Sequence, residues 1–168
     1  MRDLYFIDGY NIIFSMPDVF DTHEIESARQ KLMDQLQDFG AHNDIEIIVV
    51  FDGQGKTKKP EVEQISTRFT VVFTPARMTA DTYIESESYR RKEEYRSIFV
   101  ATSDGAEQSV ALGNGAYRLA AADLERMLIQ DKETQSTFII AHNRAHMRSE
   151  IGMQLSHEVQ EKLNRLRK

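Results

Sequence analysis

The sequence predicts an α/β fold of three layers, in which a central, mostly parallel sheet carries helices on both faces. Short apolar runs alternate along the 168 residues with segments whose apolar side chains recur at helical spacing. Several of these runs are continuously apolar, which is typical of parallel strands buried on both faces. Three of them lead into an Asp-Gly pair, so one strand-to-turn pattern recurs along the chain.

The elements can be placed in chain order from these patterns. The apolar runs predict strands at residues 4–7, 45–51, 69–73 and 98–101. Helical spacing predicts helices at about residues 24–39, 80–91 and 120–130. The segment 12–22, which contains Pro17, is expected to be a loop.

The C-terminal quarter is less regular. Residues 137–141 fit either a strand or a helix, and Ser156 is a suitable N-cap for a last amphipathic helix. From His142 to the C-terminus there are six Arg and Lys against three Glu, a local charge of +3. We expect residues 1–168 to form a single domain, with a basic, helical extension from about residue 129 onward.

Composition limits the class of protein. The net charge of −6 argues against a protein that coats nucleic acid through its overall field, although a carboxylate metal site would itself lower the charge. The absence of cysteine excludes disulfides and thiolate metal sites and fits a reducing compartment. No run approaches the roughly 20 apolar residues of a membrane span, and no export signal is evident. We therefore expect a cytoplasmic protein.

Carboxylates follow the predicted strands where each strand ends. Asp8, Asp52 and Asp104 are the first polar residues, or nearly so, beyond three strands. Asp81 and Glu85 lie one turn apart in the helix after the third strand. Because the carboxyl ends of parallel strands share one edge, up to five carboxylates are expected to converge there. A hard cation would relieve their repulsion, and oxygen ligands without cysteine favour Mg²⁺ or Mn²⁺.

Other polar groups extend this predicted site. Gly9 is expected to allow a sharp turn after Asp8, and Asn11 can position a ligand or a phosphate oxygen. Thr102 and Ser103 can do the same through a hydroxyl or a backbone N–H. A carboxylate-held Mg²⁺ can activate water and stabilise the oxyanions of a phosphodiester displacement. Any single Asp-Gly pair is also an ordinary strand-end turn, so the prediction depends on the recurrence.

Four motifs carry a family resemblance: Phe6-Ile7-Asp8-Gly9-Tyr10-Asn11, Val49-Val50-Phe51-Asp52-Gly53, Thr79-Ala80-Asp81-Thr82-Tyr83-Ile84-Glu85 and Ala101-Thr102-Ser103-Asp104. Together with Glu107-Gln108 and residues 113–118, they resemble the NYN domain of the PIN-like nucleases, in its YacP-like branch. The resemblance covers about residues 3–128 in order. It implies a metal-dependent ribonuclease and, within this branch, an endonuclease that cuts mRNA in association with the ribosome.

The resemblance also implies site residues. The metal-binding carboxylates would be Asp8, Asp81 and Asp104. Asn11 would lie beside the first of these and Glu85 a turn past the second, while Asp52 matches a motif position and either binds metal or orients a neighbour. Gly105-Ala106 stand where the branch tends to carry Tyr-Thr, which affects substrate contacts at this loop and not the carboxylate.

Candidate RNA contacts are the side chains of Ser103, Lys56, Lys58, Lys59, Arg90 and Arg91. Cations grip phosphates, and cations interleaved with aromatics are typical of RNA-binding surfaces. The lysines also fit a solvated loop, and the arginines fit an exposed helix face. His142 and His146 have the spacing of a helical metal pair, but no third ligand is evident.

Two other functions are compatible with the pattern. The first is a catalytically silent module of the same fold that binds RNA or the ribosome without cutting. The second is phosphotransfer on an aspartate, which Asp52 after an apolar strand permits. Asp8 has no second Asp close by, and no Lys closes a later strand, which argues against the second. The sequence leaves the oligomeric state open.

Overall fold

The computed structural model describes residues 1–103 and 115–166. It divides into two compact units, Met1–Leu128 and Ile129–Lys168. In this part of the chain six strands form one sheet, in the order β3-β4-β2-β1-β5-β6. The strands are β1 Asp3–Asp8, β2 Glu46–Gly55, β3 Glu61–Ser66, β4 Phe69–Pro75, β5 Ser97–Thr102 and β6 Tyr117–Ala120. Every pair is parallel except β3 with β4.

Four helices are described: α1 Gly9–Ser15, α2 Ile25–Asn43, α3 Ala80–Arg91 and α4 Ala121–Leu166. The helix α4 begins in the first unit and runs through the second. Within the described residues, no helix combines the length and the apolar character that crossing a membrane requires.

The central strand β1 explains why helices cover both faces of the sheet. Its side chains alternate, so that Leu4 and Phe6 join one buried cluster while Tyr5 and Ile7 join another. The first cluster includes Ile84 of α3. The second includes side chains of α1, α2 and the start of α4: Ile12, Ile13, Leu32, Leu36 and Leu124. Burying each large apolar side chain contributes about 1.5–3 kcal/mol, so both layers are held by the same strand.

Several expectations about single elements were wrong. The loop expected at 12–22 begins as the helix α1, which is too short to show a repeating apolar face. The strand β3 was not expected because it is an edge strand whose side chains are mostly exposed, including Val62. The four-residue strand β6 was also missed. Ser156 lies inside α4 rather than at the start of a separate helix, and the ambiguous segment 137–141 is helical.

Candidate active site

Asp8 is the last residue of β1 and the N-cap of α1. Its Oδ1 accepts a hydrogen bond of 3.3 Å from the backbone N–H of Asn11, and its side chain is almost fully buried. Strand alternation places Asp8 on the same face as Leu4 and Phe6. Its partner in β2 is Val50, whose side chain belongs to the cluster on that face. Asp8 therefore lies at the carboxyl edge of the sheet, on the face that α3 covers.

Asn11 connects this strand end to the end of β5. Its Oδ1 accepts hydrogen bonds from Thr102 Oγ1 at 3.2 Å, from the Ser103 backbone N–H at 2.5 Å and from Ser103 Oγ at 2.6 Å. With its oxygen accepting three donors, the amide can act on a ligand only through its NH₂ group. The structure thus brings together Asp8, Asn11, Thr102 and Ser103 at one edge.

Asp81 lies in the first turn of α3, and Glu85 lies one turn later and is exposed. The helix is started by Thr79, whose Oγ1 accepts a 3.1 Å hydrogen bond from the Thr82 N–H. Ala80 and Ile84 pack on the face of the sheet to which Asp8 belongs. The sequence therefore sets the N-terminal turn of α3, with Asp81, over that same face.

The third predicted carboxylate, Asp104, lies outside the described residues, as do Gly105, Ala106 and the Glu107-Gln108 pair. Among the residues that are described, no three histidine or acidic side chains are close enough to hold a metal ion. The pair His142 and His146, whose ring centroids are 6.2 Å apart on α4, is therefore not part of such a group among the described residues. The donors at the edge, carboxylate and amide oxygens, are those that Mg²⁺ and Mn²⁺ prefer.

Asp52 is in β2 and partly buried, within an irregularity in the sheet. The pairing of β2 with β4 shifts register between Phe51 and Gly55. Within the shift, Gly53 adopts a φ of +71°, which favours glycine, and its N–H donates to Thr74 Oγ1 at 3.2 Å. Asp52 thus lies inside β2, at a bulge, and not beyond the end of the strand as the sequence predicted.

Gly9 is required for a reason that differs from the expected sharp turn. It is the first residue of α1, and its φ is not positive. A Cβ at this position would lie 2.3 Å from Cε1 of Phe51, closer than two carbon atoms can approach. The missing side chain lets the ring of Phe51 pack directly against the backbone beside Asp8.

The predicted RNA contacts lie in two places. Lys56, Lys58 and Lys59 are exposed in the connection from β2 to β3, beyond the carboxyl end of β2. Arg90 and Arg91 lie in the last turn of α3 and both donate to the Glu87 carboxylate, at 2.6 Å and 2.9 Å. The hydrogen bond from Arg90 lowers the pKa of Glu87, partial burial opposes this, and the bond from Arg91 adds to the lowering.

Sequence reasoning missed a group of aromatic side chains on the side of α1 that faces away from Asp8. The rings of Tyr10 and Phe14 are 6.4 Å apart, and Tyr10 is 5.0 Å from the ring of Phe51. Arg29 of α2 donates to the Tyr10 hydroxyl at 3.3 Å. The spacing of four residues between Tyr10 and Phe14 was the available signal, but it requires α1 to be recognised as a helix.

Comparison with known proteins gives consistent results. The YacP-like NYN domain model matches residues 5–168. The protein YacP of Bacillus subtilis (strain 168), described as uncharacterized, is 35% identical over 126 residues, which are 74% of each chain.

Two solved structures are similar over much of the chain. The crystal structure of Rae1 (YacP) from Bacillus subtilis superposes with a TM-score of 0.72 at 29% identity, covering 99% of this chain and 95% of that one. A point mutant of the same protein gives a TM-score of 0.67 at 30% identity, with 79% and 77% covered. The predicted PIN-like α/β fold is confirmed, and it is a nuclease fold. The chain belongs to the YacP-like NYN domain family.

Proposed function

We propose that the protein is a divalent-metal-dependent endoribonuclease that hydrolyses RNA phosphodiester bonds, with mRNA on the ribosome as its substrate. The observation that carries the proposal is the set of hydrogen bonds from Thr102 and Ser103 to Asn11. These bonds fix the end of β5 beside Asp8, at the sheet edge where α/β proteins bind ligands. Because mRNA and ribosomes are cytoplasmic, the proposal requires a cytoplasmic protein.

In this proposal Asp8, Asp81 and Asp104 hold Mg²⁺ or Mn²⁺. When bound, such an ion lowers the pKa of a coordinated water and neutralises charge on the phosphate oxygens. Asp8 is held ready for this role because its carboxylate is fixed by the N–H of Asn11. Glu85 and Asp52 are proposed to orient water or neighbouring carboxylates from the rim of the site.

Asn11 is proposed to position the scissile phosphate. Its Oδ1 accepts three hydrogen bonds, so its amide plane is fixed relative to both β1 and β5. The NH₂ group can then donate to a phosphate oxygen without first losing rotational freedom. Ser103 is proposed to contact the substrate beside it.

Flanking RNA is proposed to run over the lysines of the β2–β3 connection. Lys56, Lys58 and Lys59 are exposed and lie at the carboxyl end of β2, next to the strand that carries Asp8. Arg90 and Arg91 were predicted to serve the same purpose. Both arginines form an ion pair with Glu87, and RNA phosphates would compete with that carboxylate for them. We therefore propose that they contribute less to RNA binding than the lysines.

The test is cleavage of an RNA, both free and on translating ribosomes, with Mg²⁺ or Mn²⁺ present and after chelation. We expect Asp81→Asn and Asp8→Asn to lower the rate at least about 100-fold, since each removes a ligand charge that the neutral amide cannot replace. Asp38→Asn, an exposed carboxylate of α2, is the matched control and should cut normally. Equal cleavage by wild type and Asp81→Asn in both RNA formats would disprove the proposal.

A further inference from the structure

An exposed phenylalanine lies on the short helix that leads away from the candidate active site. Phe14 is on α1, the helix that starts directly after Asp8, and 59% of its surface is exposed. At a rise of 1.5 Å per helical residue, its backbone lies about 9 Å along the helix axis from that of Asp8. The two neighbouring apolar residues, Ile12 and Ile13, are fully buried. Ile12 and Ile13 therefore hold the helix against the core, and the ring of Phe14 is exposed to solvent.

Phe14 is the outer member of a row of aromatic rings that begins in the core. Its ring is 6.4 Å from Tyr10, which is 5.0 Å from the buried ring of Phe51, and Phe51 is 5.8 Å from Phe73. Packing of Phe51 against the bare backbone of Gly9 fixes the inner part of the row. A ring backed in this way is preorganised, so little entropy is lost when a flat ligand stacks on it.

Positive charge accompanies the rings. The guanidinium of Arg29 lies 5.9 Å from the Phe51 centroid and 5.8 Å from the Phe73 centroid, and it donates to the Tyr10 hydroxyl. Its carboxylate neighbour, Glu26, is 3.8 Å away and largely exposed, so solvent screens the pair. The exposed lysines of the β2–β3 connection continue from the strand that carries Phe51. Aromatic rings among cations form the usual surface for single-stranded nucleic acid.

A single exposed apolar side chain is normal and by itself indicates nothing. Phe14 differs because it shares one short helix with Asn11, is backed by Tyr10 and has Arg29 behind the row. We propose that Phe14 and Tyr10 form a nucleobase-stacking subsite for single-stranded RNA, within a few nucleotides of the bond that is cut. The inference rests on the proposed nuclease function for its substrate, but stacking can be measured without cleavage.

The probe is a short single-stranded RNA with one 2-aminopurine, whose fluorescence falls when the base stacks. Titration uses full-length protein with Asp81→Asn, which removes the proposed cleavage. We expect a saturable quench, and we expect Phe14→Ala to weaken binding by about 5- to 150-fold, the range for one lost base–aromatic stack. Phe14→Leu keeps apolar bulk without a π face and should lose nearly as much, whereas Phe14→Trp should bind within about 3-fold of the parent.

Tyr89→Ala is the matched control. Tyr89 is 60% exposed, has the Lys92 ammonium 4.7 Å from its ring centroid, and lies more than two turns from Asp81 on α3. Its loss should leave both quench and affinity unchanged. The proposal is overturned if Phe14→Leu binds like the parent, if Tyr89→Ala weakens binding as much as Phe14→Ala, or if no saturable quench occurs. The last result would mean that no base stacks on the ring of Phe14.

The two proposals fail separately. If wild type and Asp81→Asn cut RNA equally while Phe14→Ala weakens binding, the catalytic assignment is wrong and the stacking subsite stands. If cleavage is lost in Asp81→Asn but Phe14→Ala binds and cuts like the parent, the subsite is wrong and the nuclease stands. Urea unfolding of each Phe14 variant verifies folding, which we expect to be retained because the side chain is mostly outside the core.

Discussion

The carboxyl edge of the sheet and the C-terminal end of α3 are both polar, but their contacts differ in range. At the sheet edge, Asn11 accepts hydrogen bonds from Thr102 and Ser103, which are 91 and 92 positions away in the chain. At the end of α3, Glu87 pairs with Arg90 and Arg91 inside a single helical turn. The first set holds two strands in fixed relation, whereas the second lies mainly within its own helix and reaches β2 only through Arg91, Tyr95 and Glu46.

This difference separates two surfaces of similar composition. Contacts between distant segments create a fixed arrangement of groups, which catalysis and oriented binding require. Ion pairs between neighbouring residues of one helix contribute little to stability. We therefore expect substitutions at the sheet edge to change chemistry more than stability, and substitutions at the end of α3 to do the reverse.

Among the substitutions that compare these two surfaces, the largest effect should come from Asn11→Asp. The new carboxylate can still accept the hydrogen bonds from Thr102 and Ser103, so the unfolding free energy should change by less than about 1 kcal/mol. The NH₂ donor is lost and a negative charge is added near Asp8, so RNA cleavage should fall about 10- to 100-fold. Rates under single-turnover conditions, with urea unfolding alongside, measure both quantities.

Asn143→Asp, on an exposed part of α4, adds the same charge elsewhere and is the control for Asn11→Asp. Cleavage by Asn11→Asp within about 2-fold of wild type would show that Asn11 only joins the strands. The sheet edge and the end of α3 would then not differ in their importance for RNA cleavage.

The next effect should come from Gly9→Ala. The added Cβ would lie 2.3 Å from Phe51, so the ring must move, and we expect a loss of about 1–3 kcal/mol in unfolding free energy. Gly40→Ala is the control, because it is also a helical position and meets Ile45 O and Ile47 Cδ1 at 3.1 Å. Gly40 is in a helix interior and Gly9 begins its helix, so helix propensity favours Gly40→Ala, and the 2.3 Å contact should make Gly9→Ala the more destabilised variant. A larger loss for Gly40→Ala would contradict this account.

Much of the fold could be predicted because its elements show regular patterns. The strands β1, β2, β4 and β5 are apolar on both faces, and α2 and α3 have apolar residues at helical spacing. The edge strand β3 was missed because Val62 and its neighbours are exposed and show no apolar alternation. The seven residues of α1 give too few turns for a periodic pattern to appear.

The site was predicted from one rule, that residues after parallel strands meet at one edge. The structure joins Asn11 to Ser103 at that edge, a contact that no local pattern encodes because it depends on the distance between β1 and β5. The roles of Asp8, Asp81 and the other carboxylates stay predictions. The pairing of Glu87 with Arg90 and Arg91 could have been predicted from their spacing of three and four residues.

The smallest effect should come from Glu87→Gln, which releases both arginines at the end of α3. Arg91 and Glu87 are partly exposed, so solvent screens their pair in part and it should contribute roughly 0.5–1 kcal/mol to the unfolding free energy at pH 7. Arg90 lowers the pKa of Glu87 below its unfolded value of 4.5, so this contribution is present above that pH. It disappears as the pH falls through the lower folded pKa.

Urea unfolding of wild type and Glu87→Gln from pH 3 to pH 7 measures the effect of this pair. The difference between them should shrink towards the acid end, and a difference that stays constant from pH 3 to pH 7 would contradict this account. RNA cleavage by Glu87→Gln should stay within about 2-fold of wild type, because the pair stabilises a helix end away from the sheet edge. A 10-fold loss of cleavage in this variant would place the end of α3 in the RNA site and reverse the comparison.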